Sequence, residues 1–184
     1  MNKLRLYIIL VIAIFFSAAY LANKKNDDHV KKSAFTEMYL PIWNQGKAQV
    51  VELAEAMPED KFSFKPAEES KTFAEQIIHI AASSHIMAQM ILKGEKVEFK
   101  EPDASSMSKE EIIEFTEKEL SAAADIIESL SEKDLKTEVK TFGGNMIPKQ
   151  QAVIFIHDHL TNHKAKANLY IRMNGIAPPK YRYY

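Results

Sequence analysis

Four apolar stripes with helical spacing, separated by strong start and stop signals, constrain this fold more than any other feature of the sequence. In the first stripe, apolar positions recur every three or four residues over 33–57, and Pro58 ends it. Thr72 and Glu75 form a capping-box pattern at the start of the second stripe, which Gly94 closes. Because this spacing places apolar side chains on one face of a helix, the pattern predicts amphipathic helices.

The third and fourth stripes are bounded in the same way. Ser108 and Glu111 make another capping box, and the fourth stripe follows the turn FGGNMIP at 142–148 and ends at the Asn-Gly pair at 174–175. No alternating run is long enough for a strand in a sheet, and residues 95–103 are expected to form an extended loop. Four helices of roughly 20–27 residues predict an all-α four-helix bundle.

Composition narrows the class of protein and its chemistry. The hydrophobic fraction of 46% is ample for a packed core, and only five Gly and seven Pro favour helix. A net charge of −1 argues against nucleic acid as a partner, because phosphate neutralisation needs a basic face. The absence of Cys excludes a thiol nucleophile, a thiolate metal site and structural disulfides.

The N-terminal stretch LYIILVIAIFFSAAYLA at 6–22 carries no charge. As a helix it would be about 25 Å long, a little under the ~30 Å hydrocarbon core, and the small residues at 17–19 suit a cleavage site. We therefore expect residues 1–22 to be a signal peptide, or a transmembrane signal anchor that contacts the membrane if uncleaved. The protein is then exported, either membrane-anchored or periplasmic or extracellular. Residues 23–32 are predicted to be a polar linker and 33–182 the bundle domain.

Three of the six histidines lie within HDHLTNH on the fourth helix. Since residues four apart share a helix face, His159 and His163 point the same way, and His157 points away, towards solvent or the edge of the bundle. Two imidazoles one turn apart on the inward face are a bidentate pair for a transition metal, although such pairs also occur on surfaces. The cluster therefore predicts a metal site if a third ligand is available.

The third ligand has to come from the second helix, which carries two histidines. His79 lies among apolar residues, on a face that enters the bundle at least in part. His85 is six positions further on, about 240° around the helix, and cannot share that face. We expect His79 to join the pair and His85 to be a surface or structural residue.

The segments AEQIIHIAASSHIMAQMIL and HDHLTNHKAKANLYIRMNGIAPPKY, with MPEDKFSFKPAEES before them, resemble the DinB/YfiT-like superfamily. The resemblance covers residues 33–182. It implies a four-helix bundle with up-down-down-up connectivity, preceded in this chain by the hydrophobic N-terminal helix. It also implies a metal triad of one second-helix histidine and the H-x3-H pair, which here are His79, His159 and His163.

The resemblance further implies a metal-dependent enzyme that acts on a small molecule. We expect the metal to be a divalent transition metal, Zn²⁺ or Ni²⁺. Three neutral imidazoles leave such an ion with its full charge and with an open position that can activate water or a thiolate. We expect a transferase or hydrolase, with a low-molecular-weight thiol as a candidate substrate. The alternative is a non-catalytic metal-binding helical module. A homodimer through one bundle face is expected by analogy with the family.

Four further residues are candidates for supporting roles. Many family members carry Arg-Gly-Gln after the second histidine of the pair, where this chain has Lys-Ala-Lys at 164–166. Lys166 is a candidate for holding an anionic substrate at the pocket rim, and Tyr170 is a candidate proton donor, with core packing as its alternative. Gln76 and Ser83 lie one turn on either side of the second-helix histidine. They are candidates for supporting it from behind, with ordinary packing as the alternative.

Overall fold

Each long helix of this protein begins and ends close to the residues that the sequence pattern marks. A computed structural model describes residues 32–182, which are mainly helical. The elements in chain order are α1 (Ala34–Ala56), α2 (Phe73–Met87), α3 (Lys109–Glu128), the short α4 (Glu132–Lys136), β1 (Glu138–Lys140), β2 (Met146–Pro148) and α5 (Lys149–Met173).

Local hydrogen bonding fixes the helix ends. The Thr72 hydroxyl accepts from the backbone N–H of Glu75, whose carboxylate accepts from the N–H of Thr72. Ser108 and Glu111 repeat this arrangement at the start of α3. Both predicted capping boxes are therefore confirmed. Gly94, with φ of 72°, ends the second helical segment in the left-handed conformation that glycine adopts without strain.

The second helix has a feature that the sequence pattern did not predict. After Met87 the α-helix continues as a π-helix over Ala88–Lys93. A π-turn adds one residue to a helical turn and so rotates the residues that follow it relative to those before. The residues of Ala88–Lys93 therefore do not continue the helix face that α2 presents before Met87.

A small antiparallel hairpin lies between α4 and α5. Strands β1 and β2 pair with Val139 opposite Ile147. The expectation that the chain contains no strand is therefore wrong. Each strand has only three residues, which is too short to produce a readable alternation of apolar and polar positions. Pro148 serves both as the last strand residue and as the N-cap of α5.

The long helices pack in four main pairs around a common core. Helix α1 packs on α3 and α5, and α2 packs on the same two helices. Trp43 of α1 is fully buried and its Nε1 donates to the Leu120 carbonyl oxygen of α3 at 3.1 Å. The bond removes the cost of burying the indole N–H and ties the two helices together.

His157 lies in the contact between α5 and α1. Its Nδ1 is 2.7 Å from the Tyr39 hydroxyl, and its ring meets the Trp43 ring edge-on at 5.8 Å. A Cβ placed on Gly46 would lie 3.2 Å from His157 Nε2, so the missing side chain lets the two helices approach closely. His157 points away from His159 as expected, but it is half-buried against a helix instead of facing solvent.

No helix within residues 32–182 is long and apolar enough to cross a membrane. Helix α3 buries one stripe and carries charged side chains on the rest of its surface, whereas α2 is buried on most of its surface by the other helices. The expectation of a transmembrane helix and of membrane anchoring is therefore wrong for the part of the chain that the structure describes. The expected signal peptide and the exported, periplasmic or extracellular location rest on the N-terminal stretch. Residues 6–22, on which that expectation was placed, lie outside the described residues.

Two isoleucines near the start of α5 allow a matched test of the core. Ile156 is 0% exposed and Ile154 is 51% exposed. We expect Ile156→Ala to lower the free energy of unfolding by about 2–5 kcal/mol, because it leaves a cavity. Ile154→Ala should change it by about 0.5 kcal/mol or less. Urea denaturation of both variants measures the difference, and equal losses would contradict the assigned register of α5.

Candidate metal centre

Three histidines from two helices converge in the structure. His79 of α2 and His159 and His163 of α5 each offer one ring nitrogen, and these nitrogens lie within 4.8 Å of one another. The ring centroids of His79 and His163 are 4.3 Å apart, and those of His159 and His163 are 4.6 Å apart. This group, called the histidine cluster below, consists of the three residues singled out in the sequence, and it can hold a metal ion.

The His79 ring is held from behind by a carboxylate. Its Nδ1 donates a hydrogen bond to Glu101 Oε1, since a carboxylate can only accept. In the neutral ring this leaves the lone pair of Nε2 free. Lys71 Nζ lies 3.4 Å from Glu101 Oε2 and holds the carboxylate in turn. A histidine fixed in one tautomer by a carboxylate is a common arrangement behind metal ligands.

The His163 ring is held by an amide. Gln76 Nε2 lies 2.5 Å from His163 Nδ1 and 3.5 Å from the His163 carbonyl oxygen. Gln76 is buried, with 2% of its surface exposed, so its amide has little access to water. The amide and the ring therefore depend on each other for hydrogen bonding.

His159 carries the least expected feature of the cluster. Its Nε2 is buried and has no hydrogen-bond partner among the described residues. A buried polar atom without a partner costs free energy, roughly 1–3 kcal/mol. A metal ion bound at this nitrogen would supply the missing interaction.

The surroundings of His159 and His163 favour the neutral form of these two rings. Burial, followed by the neighbouring His79 and His159 rings, lowers the pKa of His163 to about 3. Burial also lowers the pKa of His159, with His79 and Lys166 adding to the effect. Only the neutral ring has a lone pair for a metal, so this arrangement suits metal binding at neutral pH.

The remaining sequence candidates are arranged around the histidine cluster in different ways. Lys166 is exposed, and its charge reaches His159 and His163, which places it on the cluster's side of α5. Tyr170 is buried and meets the Phe64 ring edge-on at 5.9 Å.

Ser83 and His85 hydrogen-bond elsewhere. The Ser83 hydroxyl donates to the backbone carbonyl oxygen of His79 at 2.5 Å and not to its ring. His85 lies apart from the cluster and donates from Nδ1 to Glu119 Oε2 at 2.6 Å, as expected of a structural residue.

Sequence reasoning missed Glu101. This residue lies in the extended loop between α2 and α3, where no periodic pattern indicates which way a side chain points. Phe99 of the same loop lies beside the His79 ring, with centroids 6.4 Å apart, and is half exposed. The only available signal was an acidic residue in a loop that follows a candidate ligand helix, and that signal is weak.

Comparison with known proteins identifies the family. A family model described as "DinB family" matches residues 23–184. The chain belongs to the DinB family. The uncharacterized protein YjoA of Bacillus subtilis (strain 168) is 29% identical over 126 residues, which are 67% of this chain and 80% of YjoA. The family resemblance inferred from the sequence motifs is thereby confirmed.

Solved structures of DinB-like proteins share this fold. The YjoA crystal structure matches with a TM-score of 0.65 at 24% identity, over 79% of this chain and 97% of YjoA. A DinB-like protein from Bacillus cereus ATCC 10987 matches with a TM-score of 0.66 at 18% identity, over 78% and 95% of the two chains. The mycothiol-dependent maleylpyruvate isomerase matches with a TM-score of 0.56 at 16% identity, over 72% of this chain and 62% of its own. At these identities the structural likeness establishes the fold alone.

The low pKa of His163 makes the stability of the metal-free chain depend on pH. An unfolded imidazole takes up a proton as the pH falls through 6.5, whereas His163 in the folded chain does so only near 3. The unfolded state therefore binds more protons between these values, and stability falls as the pH drops below about 7. We expect the urea midpoint of the chelator-treated full chain to fall from pH 7 to pH 5, and to fall less in His163→Gln.

The urea midpoints of the wild-type chain and of His163→Gln are best compared at pH 5, where carboxylates with ordinary pKa values near ~4 remain mostly ionised. Equal losses in the wild-type chain and in His163→Gln would show that His163 is not the group responsible.

Proposed function

We propose that this DinB-family protein is a metal-dependent transferase or hydrolase of small molecules, with His79, His159 and His163 as the metal ligands. The observation that carries the proposal is the convergence of three ring nitrogens within 4.8 Å, one of which, Nε2 of His159, is buried without a partner. An all-imidazole site fits Zn²⁺ and Ni²⁺ among other transition metals, and the donor set does not select one of them.

The chain's own residues would prepare the ligands. Glu101 fixes His79 in the tautomer whose Nε2 lone pair is free, and Lys71 keeps the carboxylate in place. Gln76 can do the same for His163, because a half-turn of its amide would present Oε1 to accept from Nδ1–H. Such support raises the basicity of the ligands and fixes the direction of each ring.

The bound ion would supply Lewis-acid activation of a water or a thiol. The half-exposed Phe99 lies beside the His79 ring, and the charge of the exposed Lys166 reaches His163. Lys166 would hold an anionic group of the substrate, because its charge is felt at the cluster and it has no ion-pair partner within residues 32–182. A thiol substrate is supported by the fold that this chain shares with the mycothiol-dependent maleylpyruvate isomerase.

We infer the connectivity of the helix bundle from the pairs of helices that pack together. Helices α1 and α2 each pack on both α3 and α5, which suits a bundle with up-down-down-up connectivity. The homodimer expected from the family stays a prediction.

Metal content tests the ligand set. We expect the full chain, purified without a histidine tag or chelator, to contain about one transition metal per chain by plasma mass spectrometry. His163→Ala should lose the metal, because two remaining imidazoles hold an ion weakly. Glu101→Gln keeps all three ligands and should weaken metal affinity by roughly 10–100-fold.

His85→Ala is the matched control, since His85 lies on the same helix as His79 but pairs with Glu119. It should keep its metal. Full metal occupancy in His163→Ala, or equal loss in His85→Ala, would rule out the proposed ligand set.

Turnover distinguishes an enzyme from a non-catalytic metal-binding module. We expect the metal-loaded chain to join N-acetylcysteine to 1-chloro-2,4-dinitrobenzene, with loss of chloride and of the thiol proton, or to hydrolyse p-nitrophenyl acetate. Lys166→Met should raise the KM for N-acetylcysteine and leave that for its neutral amide unchanged, because only the acid carries a carboxylate. Full metal occupancy without turnover of either substrate would favour the module.

A further inference from the structure

A cavity lies on the opposite side of α5 from the histidine cluster. It has a volume of about 300 Å³ and is walled by α1, α5 and the C-terminal segment around Pro179–Tyr181. The α5 residues that line it, Thr161, Lys164, Ala165 and Asn168, are centred roughly half a turn around the helix from the histidine pair. Its size falls at the lower end of the ~300–1,000 Å³ range of small-molecule sites.

Lys164 places a half-buried ammonium group in this cavity. Its Nζ donates to Gln49 Oε1 at 2.6 Å and lies 5.8 Å from the centroid of the Tyr181 ring. No carboxylate within residues 32–182 forms an ion pair with Lys164. A partly desolvated cation with a neutral amide and a ring face as neighbours has capacity left for an anion.

An acidic residue that neighbours the cavity lining in the sequence of α1 is engaged by another residue. Glu52, one residue before the cavity-lining Leu53, forms an ion pair with Arg182. This pair holds the C-terminal segment against α1 and so maintains one wall of the cavity. Lys180 adds a second cation to the lining.

The rest of the lining is largely apolar. Leu53, Ala165, Pro179 and the ring of Tyr181 contribute carbon surface, and Thr161 and Asn168 contribute polar groups near Lys164 in the sequence of α5. Lys180 is exposed, so Lys164 is the one half-buried ammonium of the lining. A phosphate would need several donors around it, whereas this ammonium beside carbon surface suits a single carboxylate attached to an apolar body.

We propose that this cavity binds a small organic carboxylate, with the carboxylate at Lys164 and the apolar part against Leu53 and Pro179. The site is separate from the histidine cluster and does not require a metal. It gives the chain a second small-molecule site, on the other face of the same helix that carries two of the cluster's three histidines.

Calorimetric titration of the full chain with benzoate tests the proposal. Benzyl alcohol serves as the neutral probe of similar size, and acetate as the carboxylate without an apolar body. We expect benzoate to bind at one site per chain, and both other probes to bind at least about tenfold more weakly. Benzyl alcohol lacks the carboxylate that Lys164 would hold, and acetate lacks the apolar body that would be buried. Equal binding of benzoate and benzyl alcohol, or no binding of benzoate, would overturn the proposal.

Variants locate the site. Lys164→Met should weaken benzoate binding at least about tenfold, whereas Lys140→Met, which removes an exposed lysine of β1, should leave it unchanged. Ala165→Phe fills the cavity without removing a charge and should also abolish binding, which keeps the test decisive if Lys164→Met fails to fold.

Binding at the histidine cluster is distinguished by His163→Ala. The proposed site keeps its affinity for benzoate in that variant, and also in wild-type chain freed of metal. Loss of benzoate binding in His163→Ala with retention in Lys164→Met would place the anion at the histidine cluster and overturn the proposal.

Discussion

The position of α5 between α1 and α2 is the constraint on which the rest of this structure depends. One helix has to satisfy two different neighbours, and it does so with residues that alternate between faces. His157 and Leu160 pack against Gly46 of α1, while His159 and His163 face α2. A rotation of α5 by one residue would disrupt both contacts, because each residue turns the helix by about 100°. The packing of His157 therefore helps to set the direction of the histidine cluster, which it does not touch.

The histidine cluster shows how polar groups are placed at low cost inside a packed protein. Each of two rings has a partner for its second nitrogen, Glu101 for His79 and Gln76 for His163. Burial, followed by the neighbouring rings and lysines, lowers the pKa of His159 and of His163, so these two rings avoid the repulsion that adjacent imidazolium groups would suffer. The buried Nε2 of His159 remains without a hydrogen-bond partner among the described residues, and the packing of α5 determines its position.

The sequence determines local features well and tertiary neighbours poorly. The capping boxes at Thr72 and Ser108 were readable, because cap and partner lie three residues apart. The three histidines were readable because helical period and the family resemblance agreed. Glu101 was not, since the direction of a loop side chain is set by packing. His157 does point away from His159, as the helical spacing predicts. The spacing does not indicate which helix packs against His157.

Three other predictions made from local sequence patterns also went beyond what such patterns determine. The π-helix after Met87 interrupts a pattern that reads as one continuous helix, and the three-residue strands around 138–148 fall below the length at which alternation is visible. The apolar run at 6–22 was interpreted from its hydropathy, its length and the small residues at 17–19. The described part of the chain contains no membrane-crossing helix. A hydropathy window measures composition and has no access to what a segment contacts.

The histidine cluster draws its members from residues far apart in the chain, and this couples any ion it holds to folding. In the unfolded chain His79 is separated from the pair by about half of the domain, so no comparable set of ligands exists there. An ion that binds only the folded chain stabilises it by an amount that grows with the free concentration, about 2.7 kcal/mol at one hundred times the dissociation constant. For a domain of ordinary stability, about 5–15 kcal/mol, that is a substantial share. The lifetime of this protein in a cell would then follow the supply of its ion, and scarcity would be registered first as a loss of folded chains.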